Sequence, residues 1–371
     1  MYYRDALKHY SEGCLHALKA GEREDRTAEE ISSMNELFSA LLSNRAACQL
    51  PLKNYGSAKR DCTDAVRFWP ANTKAFFRKA KACLALRQYE EGLTALQEAL
   101  YLEPENAELE TLKVKLSDGL AERQKREAAV AAAEEKEMQA SRELFVTCTG
   151  RGASLGPSSG AAEGYTMQVS DKLPTLQPDE VSSEGVIAGG LAWPCALLYP
   201  QYLQSDFVEA WNESTLVAET LAEIFPEEGA PPPAWDEERE YTCSRLECYL
   251  ELEATPAFGS AEEWAQWVRL KRAAQGLVAS LKSEVASKKL RALETANKIH
   301  EDDTKWLRVN PGVTLGDLLR YPGVVVSGGQ PMFYVYPTQS AAHKKFLAKH
   351  GKRVVSFDPK QLPQPSSLTA V

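Results

Sequence analysis

A period of 34 residues runs through the first third of the chain: Tyr55, Ala65 and Pro70 recur as Tyr89, Ala99 and Pro104. An early aromatic and a later alanine on one helix let two helices approach closely, and proline ends the helix because it has no N–H to give. Units of this length hold a pair of helices and bury their apolar faces by stacking on one another. A weaker echo lies upstream, where Tyr3, Ala6 and Tyr10 match Tyr55, Ala58 and Cys62 at an offset of 52, one period plus an insertion of 18. At least two full repeats are expected, with the chain opening inside another.

The second repeat places its helices over residues 36–50 and 58–68, the third over 74–86 and 91–102. A long charged helix follows from 105 to about 144. Leu109, Leu112, Leu116 and Leu120 give it a stripe that closes the stack. Beyond Arg123 the stripe fades, and the helix is expected to project into solvent.

Residues 146–190 are rich in Gly, Ser and Pro and read as a disordered linker. A second domain is expected over 191–357, with a disordered tail over 358–371. Its strands are predicted at 193–199, 245–253, 324–326, 332–336 and 353–357. Its helices are predicted from Ser205 through Trp211, from Thr314 to Leu319, and over 344–349. The alternation of Leu246, Cys248, Leu250 and Leu252 with Glu247, Tyr249, Glu251 and Glu253 predicts a strand with one wet face. An insert at 257–303 carries Trp267, Leu270, Ala274, Leu277 and Leu281 at helical spacing, half of a hairpin that either folds back on its own domain or binds a partner.

At 371 residues and 44% apolar, the chain is long enough for two or three cored domains. A net charge of −9 argues against a nucleic-acid footprint. The eight cysteines form no Cys-x-x-Cys pair and read as reduced thiols of a cytosolic protein, with the nucleus as a second location. No apolar run approaches 18 residues and the start is not that of a signal peptide, so no membrane association is expected. His9, His16, His300, His343 and His350 show no metal-ligand spacing, and neither a phosphate loop nor a nucleophile elbow is present. Neither catalysis nor a metal or cofactor is expected, and acidic runs such as Glu237-Glu238 and Glu301-Asp302-Asp303 read as solvated faces.

The informative polar residues sit in the repeats. Lys74 and Arg78 are four apart and leave one helix face together. Arg78 lies 34 residues after Asn44, the same repeat position, so the two are expected to be neighbours. An amide, an ammonium and a guanidinium together make a receptor for a carboxylate, and a peptide C-terminus is its natural ligand; three ordinary surface residues are the plainer alternative.

These residues carry a resemblance. The period is that of tetratricopeptide repeats, and Asn44 followed by Lys74-x-x-x-Arg78 resembles the dicarboxylate-clamp repeats that bind the acidic C-terminal tails of heat-shock protein 90 and heat-shock protein 70. Trp193-Pro194-Cys195-Ala196-Leu197-Leu198-Tyr199-Pro200, Pro233-Ala234-Trp235-Asp236, Leu246-Glu247-Cys248-Tyr249-Leu250-Glu251 and Val313-Thr314-Leu315-Gly316-Asp317-Leu318-Leu319 are similar to the wheel domain of the family of tetratricopeptide repeat protein four and cyclophilin seven suppressor. The resemblance implies a multidomain fold: an all-α repeat superhelix and long helix over 1–145, then an α+β wheel domain. It implies a co-chaperone adaptor, not an enzyme, that holds the tail of heat-shock protein 90, with heat-shock protein 70 as second ligand and an unnamed client or the chaperone body at the wheel domain.

Two departures stand out. The family clamp has five residues, and its first Lys and Asn come from a helix that would precede residue 1; a truncated gene model is the expected cause. Loss of two such contacts would cost about 3–6 kcal/mol, roughly a hundredfold to ten-thousandfold in affinity. The insert is the other departure. A scaffold without tail binding and a chaperone-tethered enzyme are the rival functions. Trp193, Tyr199, Phe207, Trp211 and Trp235 are dense enough that some are expected at the surface, where they would meet a partner.

Overall fold

The computed structural model describes residues 2–21, 27–158, 172–177, 180–182, 185–187, 190–227, 232–253, 255–278, 280–296 and 304–363. The chain divides into two compact units, Met1–Val130 and Ala131–Val371.

The first unit is helical: α1 (Tyr2–Gly21), α2 (Ala28–Gln49), α3 (Tyr55–Phe68), α4 (Thr73–Ala85), α5 (Tyr89–Leu102) and the opening of α6 (Ala107–Gly150). The repeat signature explains its packing. Ala46, Ala58, Ala65, Ala75, Ala80, Ala82 and Ala99 are each completely buried, so backbones close on one another with only a methyl between them. Leu109, Leu112 and Leu116 of α6 join Ala80, Leu96 and Ala99 in one core, as the leucine stripe predicts. α2 begins eight residues earlier than expected because Thr27 and Glu30 form a capping box.

The second unit begins inside α6. Its elements are β1 (Ser154–Gly156), β2 (Thr175–Leu176), β3 (Glu180–Ser182), β4 (Gly185–Ile187), β5 (Leu191–Tyr199), β6 (Gln204–Asn212), α7 (Val217–Ile224), β7 (Leu246–Leu252), α8 (Ala261–Ala274), α9 (Ser283–Ala296), β8 (Lys305–Arg308), α10 (Leu315–Leu319), β9 (Val325–Ser327), β10 (Met332–Pro337), α11 (Ala341–His350) and β11 (Val354–Ser356). Among the described residues the main sheet has seven strands, ordered β11-β8-β7-β10-β5-β2 with β6 on β5. β10 runs parallel to β5 and antiparallel to β7. Cys195, Leu197, Leu250 and Val335 on one sheet face meet Leu221 of α7, Trp264 and Trp267 of α8 and Leu318 of α10. Tyr249, Trp306, Tyr334 and Tyr336 on the other face meet Phe346 of α11.

Several expectations are corrected here. The sequence from Ser205 to Trp211 is the strand β6, paired antiparallel with β5 from Tyr199↔Gln204 to Ala192↔Asn212, not a helix. Phe207 and Trp211 are an even number of residues apart, a spacing that a strand face also satisfies. The face of β7 expected to be wet is so only in part: Tyr249 is fully buried against Phe346 of α11, while Glu247 and Glu251 are half-buried and Glu253 is exposed. β9 and β10 belong to different sheets, and Gly328 and Gly329, at φ +66° and +76°, turn the chain between them. Trp193, Tyr199 and Trp211 are core residues, while Phe207 and Trp235 are half-buried.

The boundary expected at 145/146 and the linker expected over 146–190 also differ from the structure. Phe145 and Cys148 at the end of α6 lie in the core of the second unit, so the helix docks there and does not end in solvent. Leu155 is buried and β1 pairs parallel with β9, Leu155 opposite Val326. A Cβ on Gly156 would lie 2.6 Å from Thr255 Oγ1 and 2.9 Å from the Pro256 carbonyl, so this glycine serves close packing. The rest of the expected linker, 159–171, 178–179, 183–184 and 188–189, lies outside the described residues.

The expected tail is likewise shorter: Leu362 packs on the core and Tyr321 Oη donates to Gln361 Oε1 at 3.0 Å, leaving 364–371 outside the described residues. The insert is a helical pair, α8 and α9. Its stripe stops at Ala274, where Gly276 turns at φ +79°, so Leu277 and Leu281 lie beyond the first helix.

Candidate functional site

Asn44 is on α2, and Lys74 and Arg78 are on α4. The two helices are tied by side chains one turn apart. Asn72 caps α4 by accepting from the Ala75 N–H at 3.0 Å, and its amide nitrogen donates to Ser39 Oγ at 2.8 Å. One turn further on, Arg78 Nη1 donates to Ser43 Oγ at 2.6 Å and to Asn44 Oδ1 at 3.3 Å. Ser39 and Ser43 are four apart on α2 and essentially inaccessible, so each presents a hydroxyl to α4. Arg78 and Asn44 are half-buried, and Lys74 is exposed one turn before Arg78.

The contacts set the polarity of the surface. A guanidinium has no acceptor, so Asn44 must turn its carbonyl oxygen toward Arg78 and its NH₂ outward. Lys74 offers three further N–H donors. The outward groups are therefore all donors, two of them cationic, an arrangement suited to an anion with two oxygens. The structure brings Asn44 and Arg78 into contact and sets Lys74 on the same helix as Arg78, one turn earlier. Sequence reasoning missed Ser43 and Ser39; their signal is position, a hydroxyl just before Asn44 and another one turn earlier.

Neighbouring charges in the first unit are committed to structure. Asp61 of α3 accepts from Arg45 Nε at 2.7 Å, Arg45 Nη2 at 2.6 Å and Gln49 Nε2 at 3.0 Å. This bond with Asp61 raises the Arg45 pKa further. Lys59 and Lys79 share Glu91, whose pKa falls chiefly through the hydrogen bond from Lys59. Burial pushes the thiols of Cys62 and Cys83 up to about 12 and about 11, so both stay protonated at neutral pH.

The second unit holds a titratable cluster the sequence did not signal, since its members are far apart in the chain. Tyr249 Oη donates to Glu247 Oε2 at 2.6 Å and lies 2.9 Å from His343 Nε2. Arg308 Nη2 reaches Glu247 Oε1 at 2.6 Å. Burial lowers the His343 pKa, Glu247 opposes the shift and Arg308 adds to it.

Residues 182–256 match the family model described as the Cns1/TTC4 Wheel domain. Tetratricopeptide repeat protein 4 homolog of Dictyostelium discoideum is 27% identical over 311 residues, 83% of this chain and 66% of the relative. Human tetratricopeptide repeat protein 4 is 32% identical over 226 residues, 59% of this chain and 57% of the relative. The Hsp70/Hsp90 co-chaperone cns1 of Schizosaccharomyces pombe is 25% identical over 248 residues, 67% of this chain and 61% of the relative. The matched stretch thus spans less than two thirds of each of these relatives.

Proposed function

We propose that this chain, a tetratricopeptide protein of the TTC4/Cns1 kind with a Wheel domain, is a co-chaperone adaptor whose first unit holds the acidic C-terminal tail of heat-shock protein 90. The observation that carries the reading is the donor-only surface built by Asn44, Lys74 and Arg78, with Arg78 fixed by Ser43 and Asn44. A C-terminal aspartate presents two carboxylates in one residue, which suits an ammonium and a guanidinium one turn apart. Heat-shock protein 70, whose name appears in that of the fission-yeast relative, is the second ligand class. The second unit supplies contacts to client or chaperone body, and the molecule acts by tethering and not by catalysis.

The proposed compartment is the cytosol. All eight cysteines are unpaired, which suits a reducing environment, and no helix among the described residues is long and apolar enough to cross a membrane.

Purified heat-shock protein 90, intact and lacking its last five residues, tests the reading when each is titrated with the full chain. Binding should require the tail and fall with added salt. Equal binding to both forms would leave a repeat scaffold that makes no use of a carboxylate clamp.

A further inference from the structure

We infer that Ser43 is a positioning residue for the carboxylate site, an inference that rests on the tail-binding reading above. The terminal nitrogen Nη1 of Arg78 donates to two acceptors on α2, Ser43 Oγ at 2.6 Å and Asn44 Oδ1 at 3.3 Å. Among the described residues, no hydrogen bond engages the other edge of the guanidinium, formed by Nε and Nη2. That edge has two parallel N–H donors at the spacing of a carboxylate's two oxygens.

Ser43 makes the shorter of the two bonds and is 1% exposed, so it grips the guanidinium from a fixed place in the helix packing. Asn44 alone leaves the group free to turn about its last side-chain bond and to offer either edge. With Ser43 present the carboxylate-binding edge is selected before the ligand arrives, which removes an ordering cost from binding.

Ser39 provides an internal contrast. It lies one turn earlier on the same face of α2 and is completely buried. Its partner is the helix cap Asn72, not a ligand-facing cation. Ser39 therefore sets where α4 begins, and Ser43 sets how the Arg78 head group is aimed.

The test titrates the full chain with a peptide ending Glu-Glu-Val-Asp, as the free acid and as the C-terminal amide. Ser43→Ala should weaken binding of the free acid roughly tenfold and shrink its advantage over the amide, with the thermal midpoint unchanged. Ser43→Cys, which keeps the volume but offers a weak acceptor, should behave like Ser43→Ala. Ser39→Ala should lower the thermal midpoint and leave the acid-to-amide ratio as it was. On an Arg78→Lys background, which lacks the fork, the effect of Ser43→Ala should vanish. If Ser43→Ala and Ser43→Cys both bind like the parent while Arg78→Ala loses binding, the positioning role is wrong and the clamp stands. If Arg78→Ala also binds like the parent, the tail-binding reading fails and takes this inference with it.

Discussion

Arg78 and Asn44 are one repeat apart in the sequence and 3.3 Å apart in space, the guanidinium donating to the amide oxygen. The repeat period therefore does more than stack helices. It puts equivalent positions of successive first helices side by side, so two side chains chosen at one offset meet at one site.

Removing either cation should weaken binding of an acidic tail without unfolding the first unit. Arg78→Ala and Lys74→Ala should each cost about 1.5–3 kcal/mol, because each deletes a charged hydrogen bond to a carboxylate. Lys74 is exposed and Arg78 half-buried, so neither change opens a cavity. Calorimetry showing parental affinity in both variants would take them out of the site.

Much of the first unit was legible because a small buried alanine every period leaves a plain signal: Ala65 and Ala99 are both completely buried. The second unit was harder to read where local pattern and tertiary placement part company. Phe207 and Trp211 suit a helix or a strand by spacing, and the wholly buried β5 beside them decides for the strand. Gly156 looks like linker composition until Thr255 and Pro256 are seen against it. Asn44, Lys74 and Arg78 could be found because they share a period, whereas Glu247, Tyr249, Arg308 and His343 meet only through the sheet and α11.

The division of the chain at Val130 leads to a fragment experiment. A piece spanning 131–371 should fold alone. A piece beginning at 191 should not, because it lacks Phe145, Cys148 and Leu155 from the core and the β1 partner of β9. Cooperative melting of the shorter piece at the same temperature as the longer one would contradict this.

His343 makes the second unit sensitive to mild acid. Its folded pKa lies below the ordinary histidine range, chiefly through burial. Above about pH 6.5, where the side chain is neutral folded or unfolded, the contribution is fully present. As pH falls from there through the folded pKa, the unfolded chain takes up the proton more readily and stability declines. Below the folded value no further loss comes from this group. His343→Gln should flatten that part of the stability profile; an unchanged slope between pH 6.5 and 5 would assign it to other groups.

The insert carries a seam of charge facing α6. Arg269 meets Glu134 at 3.2 Å, Arg272 meets Glu137 at 2.9 Å and Arg142 meets Glu262 at 2.8 Å, while Ser280 Oγ donates to Glu134 at 2.6 Å. Trp264 and Trp267, stacked at 5.4 Å, hold α8 in the core independently of these pairs. Arg269→Glu should therefore lower amide-exchange protection across 134–142 and spare α8, and adding Glu134→Arg should restore it. Molar salt should act as the single variant does, since such partly exposed pairs are screened. Loss of protection in α8 at the same time would mean that seam and core are one unit.

The most direct measurement compares one acidic peptide in two forms, free C-terminal acid and C-terminal amide, titrated into the full chain at low and high salt. A carboxylate site made of Asn44, Lys74 and Arg78 predicts that the acid binds at least about tenfold tighter than the amide. It also predicts that the advantage shrinks as salt rises and disappears in Arg78→Ala. Equal affinity for acid and amide, unchanged by salt and by Arg78→Ala, would contradict the proposal that this surface reads a chain terminus.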